Sequence, residues 1–64
     1  MRNNLKEMRW KSGLSVTALS QISGVSHSQI TKIENGDVSN IRLETAYRLS
    51  SALKVSVYDL FPIK

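Results

Sequence analysis

Sixty-four residues, 41% of them hydrophobic and 22% charged, with no cysteine, suffice for one small domain and not for two, since domains rarely fall below about 50 residues. A chain this short hides only about 60% of its unfolded surface on folding. With neither disulfides nor a Cys/His metal set, its stability has to come from close helix packing or from a second subunit. Nine Lys and Arg against five Asp and Glu leave a net charge of +4, which favours a polyanionic partner, nucleic acid first and an anionic membrane second. No apolar run reaches roughly 18 residues, and no hydrophobic segment follows Met1-Arg2-Asn3-Asn4, so neither a membrane span nor secretion is expected. The absence of cysteine fits a reducing cytosol without demanding one. Three glycines and one proline, in no tract, speak against a linker or disordered tail, and no internal repeat is present.

Helical signals recur five times along the chain, and no segment alternates with strand period between hairpin turns. The expected class is all-α. A first helix is expected behind Asn3 or Asn4, with Glu7 three residues after Asn4 as in a capping box, Leu5 and Met8 on its inner side, and Gly13 at its end. Ser15 is the natural N-cap of a second helix, Val16 to Ser23, which carries Leu19 and Ile22 inward and meets Gly24 past its last turn. Ser26 with Gln29 repeats the capping-box pattern and opens a third helix through Glu34 or Asn35, closed by Gly36. Two short helices joined by Gly24-Val25-Ser26 are the pattern of a helix-turn-helix, over about residues 15–35. After a polar loop, Asp37 to Asn40, a fourth helix is expected from about Ile41 to Leu53, with Leu43, Ala46, Tyr47, Leu49 and Leu53 on one side. Ser56 with Asp59 caps a last short helix, Val57 to Phe61, stopped by Pro62. Lys54 stands where glycine would end the fourth helix more comfortably, a misfit worth roughly 1 kcal/mol at most if the residue is left-handed.

Stepping about 100° per residue along the third helix puts Ile30 and Ile33 on one side and His27, Ser28, Thr31, Lys32 and Asn35 on the other. These are short or neutral side chains with mixed donors and acceptors, where an ordinary solvated helix carries Glu and Lys. Alone, the arc reads equally well as a wet face. The preceding turn shifts the balance, because the second helix of such a motif sets its N-terminal residues against base edges while the first offers its own N-terminus to a phosphate.

The runs Leu5-Lys6-Glu7-Met8-Arg9, Gly13-Leu14-Ser15, Leu19-Ser20-Gln21-Ile22-Ser23-Gly24-Val25-Ser26, Ile30-Thr31-Lys32-Ile33-Glu34-Asn35-Gly36 and Leu49 through Phe61 resemble, over nearly the whole chain, the phage Cro and lambda-repressor type of helix-turn-helix, the XRE family of bacterial regulators. The resemblance implies a compact five-helix domain, used as a homodimer on a near-palindromic double-stranded DNA operator in a cytoplasmic, bacterial or phage-encoded setting. It implies base readers at His27, Ser28 and Lys32, with Ser26, Gln29 and Thr31 serving phosphates or flanking bases, and an ion pair between Arg9 and Glu34. Where many relatives begin the second helix with Gln, this chain has Val16, which moves that phosphate contact to backbone NH groups or to Thr17. The loop after Gly36 is one residue longer than usual, lacks the common Pro, and carries Asp37 where relatives often have Lys or Arg.

Lys32 suits guanine O6 or N7, with a phosphate contact or plain solvation as the alternatives. His27 can donate or accept at a base edge, or bind phosphate when protonated. Trp10 and Tyr58 invite stacking on bases, but core or dimer packing is the better reading because no basic strand platform accompanies them. Val57, Tyr58, Phe61 and Ile63 are more apolar than a free end needs; family habit places a dimer contact there, and intramolecular capping of the bundle is the alternative.

The charge is unevenly spread. Residues 1–12 carry a net +3, residues 13–41 a net −1 and residues 42–64 a net +2. Lys6, Lys11 and Arg42 are therefore the candidate phosphate contacts, with Arg48 beside them, while the third helix reads with mostly neutral groups. No metal site is expected, since nothing supplies three or four ligands, and neither a cofactor nor a small-molecule ligand is implied. The leading reading is a transcriptional regulator, a repressor acting by occupancy, with no separate ligand or oligomerisation domain. A protein-interaction or antitoxin-like modulator on the same fold is the second. An enzyme is the poorest, because Ser28 and His27 diverge by about 100° on the helix and neither a phosphate loop nor a nucleophile elbow is present.

Overall fold

The computed structural model describes residues 2–62, in which five helices and no strand occur: α1 (Leu5–Lys11), α2 (Val16–Ser23), α3 (His27–Glu34), α4 (Leu43–Leu53) and α5 (Val57–Leu60). Helix α4 lies across α2 and α5, and α1 and α2 pack on α3. Each helix is too short to persist alone, so burial of its apolar stripe is what holds it. The shared core consists of Leu5, Leu19, Ile30, Ile33, Leu49 and Leu60, all fully buried, with Val25, Ala46, Leu53 and Phe61 around them.

Local capping follows the sequence at three of the four expected N-termini. Ser15 Oγ accepts from Ala18 N at 3.0 Å, Ser26 Oγ accepts from Gln29 N at 3.2 Å, and Ser56 and Asp59 form a reciprocal capping box. At α3 only the serine half of the expected box is made. The box expected at α1 does not form, since Asn4 makes no side-chain cap. Its polar groups go elsewhere: Asn4 N donates to Leu60 O at 2.8 Å and Asn4 Nδ2 to Asp59 O at 3.0 Å. Asn3 accepts from Leu5 N at 3.0 Å and donates to Ile33 O at 2.8 Å. Carbonyls near the ends of α3 and α5 need partners, and the two asparagines supply them, stitching the entry of α1 to both helices.

Three helices close with the paired backbone bonds of a Schellman turn. Gly13 N and Leu14 N reach Trp10 O and Arg9 O, Gly36 N and Asp37 N reach Ile33 O and Lys32 O, and Lys54 N and Val55 N reach Ser51 O and Ser50 O. Lys54 takes the left-handed position with φ 57°, the misfit read from its place in the sequence.

Several inward assignments are corrected. Helix α4 begins at Leu43 rather than Ile41, and Leu43 and Tyr47 are 77% and 65% exposed. The stripe runs through Ala46, Leu49 and Leu53 and is flanked by buried Thr45 and Ser50, which leaves Leu43 and Tyr47 past its edge; Ser50 Oγ donates to Tyr47 O at 2.9 Å and so stays satisfied. Ile22 is 58% exposed, since Ser23 occupies the inner position, where its hydroxyl accepts from Val25 N at 3.1 Å. Helix α5 ends at Leu60, with Phe61 as its C-cap. Trp10 and Tyr58 lie outside the core, exposed by about two thirds. No helix among the described residues is long and apolar enough to cross a membrane.

Candidate nucleic-acid interface

The turn between α2 and α3 is held by three hydrogen bonds to the backbone of Gly24 and Val25. Gly24 N donates to Ser20 O at 2.9 Å, Val25 N to Ser23 Oγ at 3.1 Å, and Ser20 Oγ to Val25 O at 2.6 Å. The Val25 side chain is buried in the core. Gly24 has φ 76°, the left-handed conformation that calls for glycine; a Cβ there would stand 2.9 Å from Arg48 Nη1, the end of a flexible side chain that can swing aside. With both amides of Gly24 and Val25 and the Val25 carbonyl bonded and the Val25 side chain anchored in the core, α3 is tied closely to α2. Sequence reasoning found the glycine and the caps but not Ser20 and Ser23, whose signal is two small hydroxyl residues spaced five and two positions before a buried Val25.

A second clamp sets the far end of α3. Arg9 Nε donates to Glu34 Oε2 at 2.7 Å and Nη2 to Oε1 at 3.1 Å, while Nη1 donates to Leu14 O at 2.9 Å. The two side chains are only 9% and 6% exposed. A bidentate pair of this kind is geometrically specific as well as strong, and every donor or acceptor it buries is matched. The hydrogen bond to Glu34 raises the Arg9 guanidinium above its already high pKa, against the opposing effect of burial. Arg9 thereby joins α1, the α1–α2 loop and the last turn of α3.

Between these two clamps α3 turns Ile30 and Ile33 into the core and exposes Ser26, His27, Ser28, Gln29, Thr31, Lys32 and Asn35. His27, Ser28, Lys32 and Asn35 make no side-chain hydrogen bond or ion pair among the described residues. Thr31 differs, its Oγ1 donating to His27 O at 3.0 Å. Thr17 is exposed in the first turn of α2, next to the Ser15 cap. The N-terminus of α2, that of α3 and the polar arc of α3 together offer backbone NH groups, hydroxyls, an imidazole and one ammonium group, a set that suits phosphate and base edges.

Of the cations, Lys32 and Arg42 are exposed, without ion pairs among the described residues. Lys6 Nζ stands 5.0 Å from the Trp10 ring centroid, a cation–π contact on the outer face of α1. Lys11 Nζ lies 4.0 Å from Glu7, too loose and exposed a pair to hold it. Arg48 is paired with Glu44 at 3.0 Å and covers Gly24. The residues expected at a dimer contact are divided: Tyr58 is exposed, Val57 half-buried, Phe61 part of the core, and Ile63 lies outside the described residues. Val57 and Phe61 also line a shallow apolar groove with Ile41 and Leu43.

Among curated proteins none matches this chain. A helix-turn-helix family model matches residues 5–60, from the first residue of α1 to the last of α5. With its five helices, its glycine turn and its exposed polar third helix, the chain belongs to the helix-turn-helix family of DNA-binding regulators, in the Cro and lambda-repressor type known as XRE.

Proposed function

We propose that this protein is a transcriptional repressor that binds a near-palindromic operator as a homodimer, α3 of each copy lying in the major groove. The observation that carries the proposal is the arc of α3 opposite Ile30 and Ile33, whose His27, Ser28 and Lys32 side chains are exposed and bonded to nothing among the described residues. In this reading those three meet base edges, while Thr17, Ser26, Gln29 and Asn35 meet phosphates or flanking bases and hold the register. Lys6, Lys11 and Arg42 supply long-range attraction to the backbone. The dimer contact centres on exposed Tyr58, with half-buried Val57 beside it and the groove beside Leu43 extending it, while buried Phe61 backs it from the core; Ile63, assigned to the same contact, lies outside the described residues. Repression follows from occupancy of the site, in the cytoplasm of a bacterium and on its nucleoid when bound.

Selection of bound sites from a random pool of double-stranded DNA tests this reading. The expected product is a near-palindrome with half-sites about 34 Å apart, one helical turn, and an affinity that falls steeply with salt. Complete absence of salt-dependent binding would overturn it.

A further inference from the structure

Of His27, Ser28, Thr31, Lys32 and Asn35, which form the arc, only Thr31 has a side chain hydrogen-bonded among the described residues, its hydroxyl donating to the His27 carbonyl one turn back at 3.0 Å. A hydroxyl has a single proton to give. With that proton turned onto the helix, Thr31 has no donor for a base or a phosphate, and what it has left for a partner is a γ-methyl group and the remaining lone pair of Oγ1. It sits on the arc between His27 and Asn35, exposed, one step from Lys32. Its neighbours are of the opposite character, since the imidazole, the Ser28 hydroxyl and the Lys32 ammonium all have donors to offer. In the major groove the only apolar feature a base pair displays is the thymine C5-methyl.

We propose that Thr31 is a specificity residue that packs its γ-methyl against the C5-methyl of a thymine in each half-site. The proposal rests on the reading of α3 as a major-groove helix and assigns Thr31 a base where the resemblance implied only a phosphate or a flanking contact. The hydrogen bond to His27 restricts χ1 to the rotamers that keep the hydroxyl on the helix, so the side chain has little freedom left to lose on binding. Burying one methyl group corresponds to a factor of roughly four in affinity.

The test takes the selected site and replaces each thymine in turn by uracil, which pairs identically and lacks only the methyl group. Binding is measured for the parent chain, Thr31→Val and Thr31→Ser, with folding of each checked by circular dichroism. One thymine per half-site is expected whose replacement weakens the parent and Thr31→Val by about fourfold and leaves Thr31→Ser unaffected. Thr31→Ser on the thymine site should bind as the parent does on the uracil site. Uniform indifference to uracil, or a uracil penalty that persists in Thr31→Ser, overturns the methyl contact while leaving the DNA-binding reading intact. Loss of binding in Thr31→Val also overturns it, since the hydroxyl would then be the reader. Absence of salt-dependent binding by the parent overturns both readings.

Discussion

Replacement of Glu34 by Gln removes one charge from the clamp between α1 and α3 while preserving its shape. In the native pair Arg9 gives two hydrogen bonds to the carboxylate and a third to Leu14 O. Glutamine keeps one acceptor oxygen and turns an NH2 group toward the other guanidinium donor, so one Arg9 N–H loses its partner and a cation 9% exposed loses its counter-charge. Breaking a buried ion pair from one side costs about 3–5 kcal/mol. A domain of this size has roughly 3–10 kcal/mol of stability in total, so the loss is a third or more of it, equivalent to a fall in melting temperature of about 12–40 °C. Urea unfolding followed by circular dichroism, on Glu34→Gln, Arg9→Met and Arg9→Met with Glu34→Leu, gives the complete cycle. The double variant replaces both charges by apolar groups of similar volume and should recover to within about 2 kcal/mol of the parent, as apolar replacements of buried ion pairs often do. A Glu34→Gln stability within about 0.5 kcal/mol of the parent, or single-variant losses that simply add, would refute the reasoning. No pH dependence arises from Arg9 near neutrality: its folded pKa is raised, so its contribution is complete below the unfolded value and is lost only as pH climbs through the folded one, far into the alkaline range.

Three further outcomes are expected. Lys32→Ala should weaken binding to the selected operator by about 1–3 kcal/mol and relax one base position, as seen by repeating the selection; an equal loss on every sequence would assign Lys32 to a phosphate. Charge reversal at Lys6 or Lys11 should leave the selected sequence unchanged and flatten the salt dependence of binding by at least about one phosphate contact, a change of roughly 0.9 in slope; an unaltered slope would remove α1 from the phosphate-facing surface. Lys54→Gly should raise stability by up to about 1 kcal/mol, because the lysine holds φ 57° at a Schellman turn where glycine meets no Cβ penalty. A lower melting temperature in that variant would show that Lys54 makes contacts outweighing its strain.

What could be read from the sequence was mainly local. Ser15, Ser26 and Ser56 act on amides three residues ahead, and Gly13, Gly24 and Gly36 take left-handed positions at helix ends; both kinds of signal are complete within one turn of helix. The arc of α3 was legible for the same reason, since Ile30 and Ile33 alone fix its direction. Helix α4 was less so: hydrophobicity placed Leu43 and Tyr47 inside, whereas Thr45 and Ser50 are buried there and those two are exposed. Which flank of an apolar stripe faces inward depends on how near the opposing helix comes, and that distance is not written in any one segment.

Fold class, helix order, the helix-turn-helix and the polar face of α3 were thus determined by the sequence alone, each through contacts spanning a few residues. Tertiary structure decided the use of Asn3 and Asn4 as ties to the ends of α3 and α5, across 30 and 55 residues. It also decided the serine bonds that tie the turn and the approach of the Arg48 guanidinium to Gly24. Family resemblance named Arg9 and Glu34 as partners, but their bidentate geometry and the third bond to Leu14 exist only once three segments converge. Thr31 shows the same division: the sequence placed it on the arc, and only its bond to the His27 carbonyl leaves it with a methyl group and a lone pair to present.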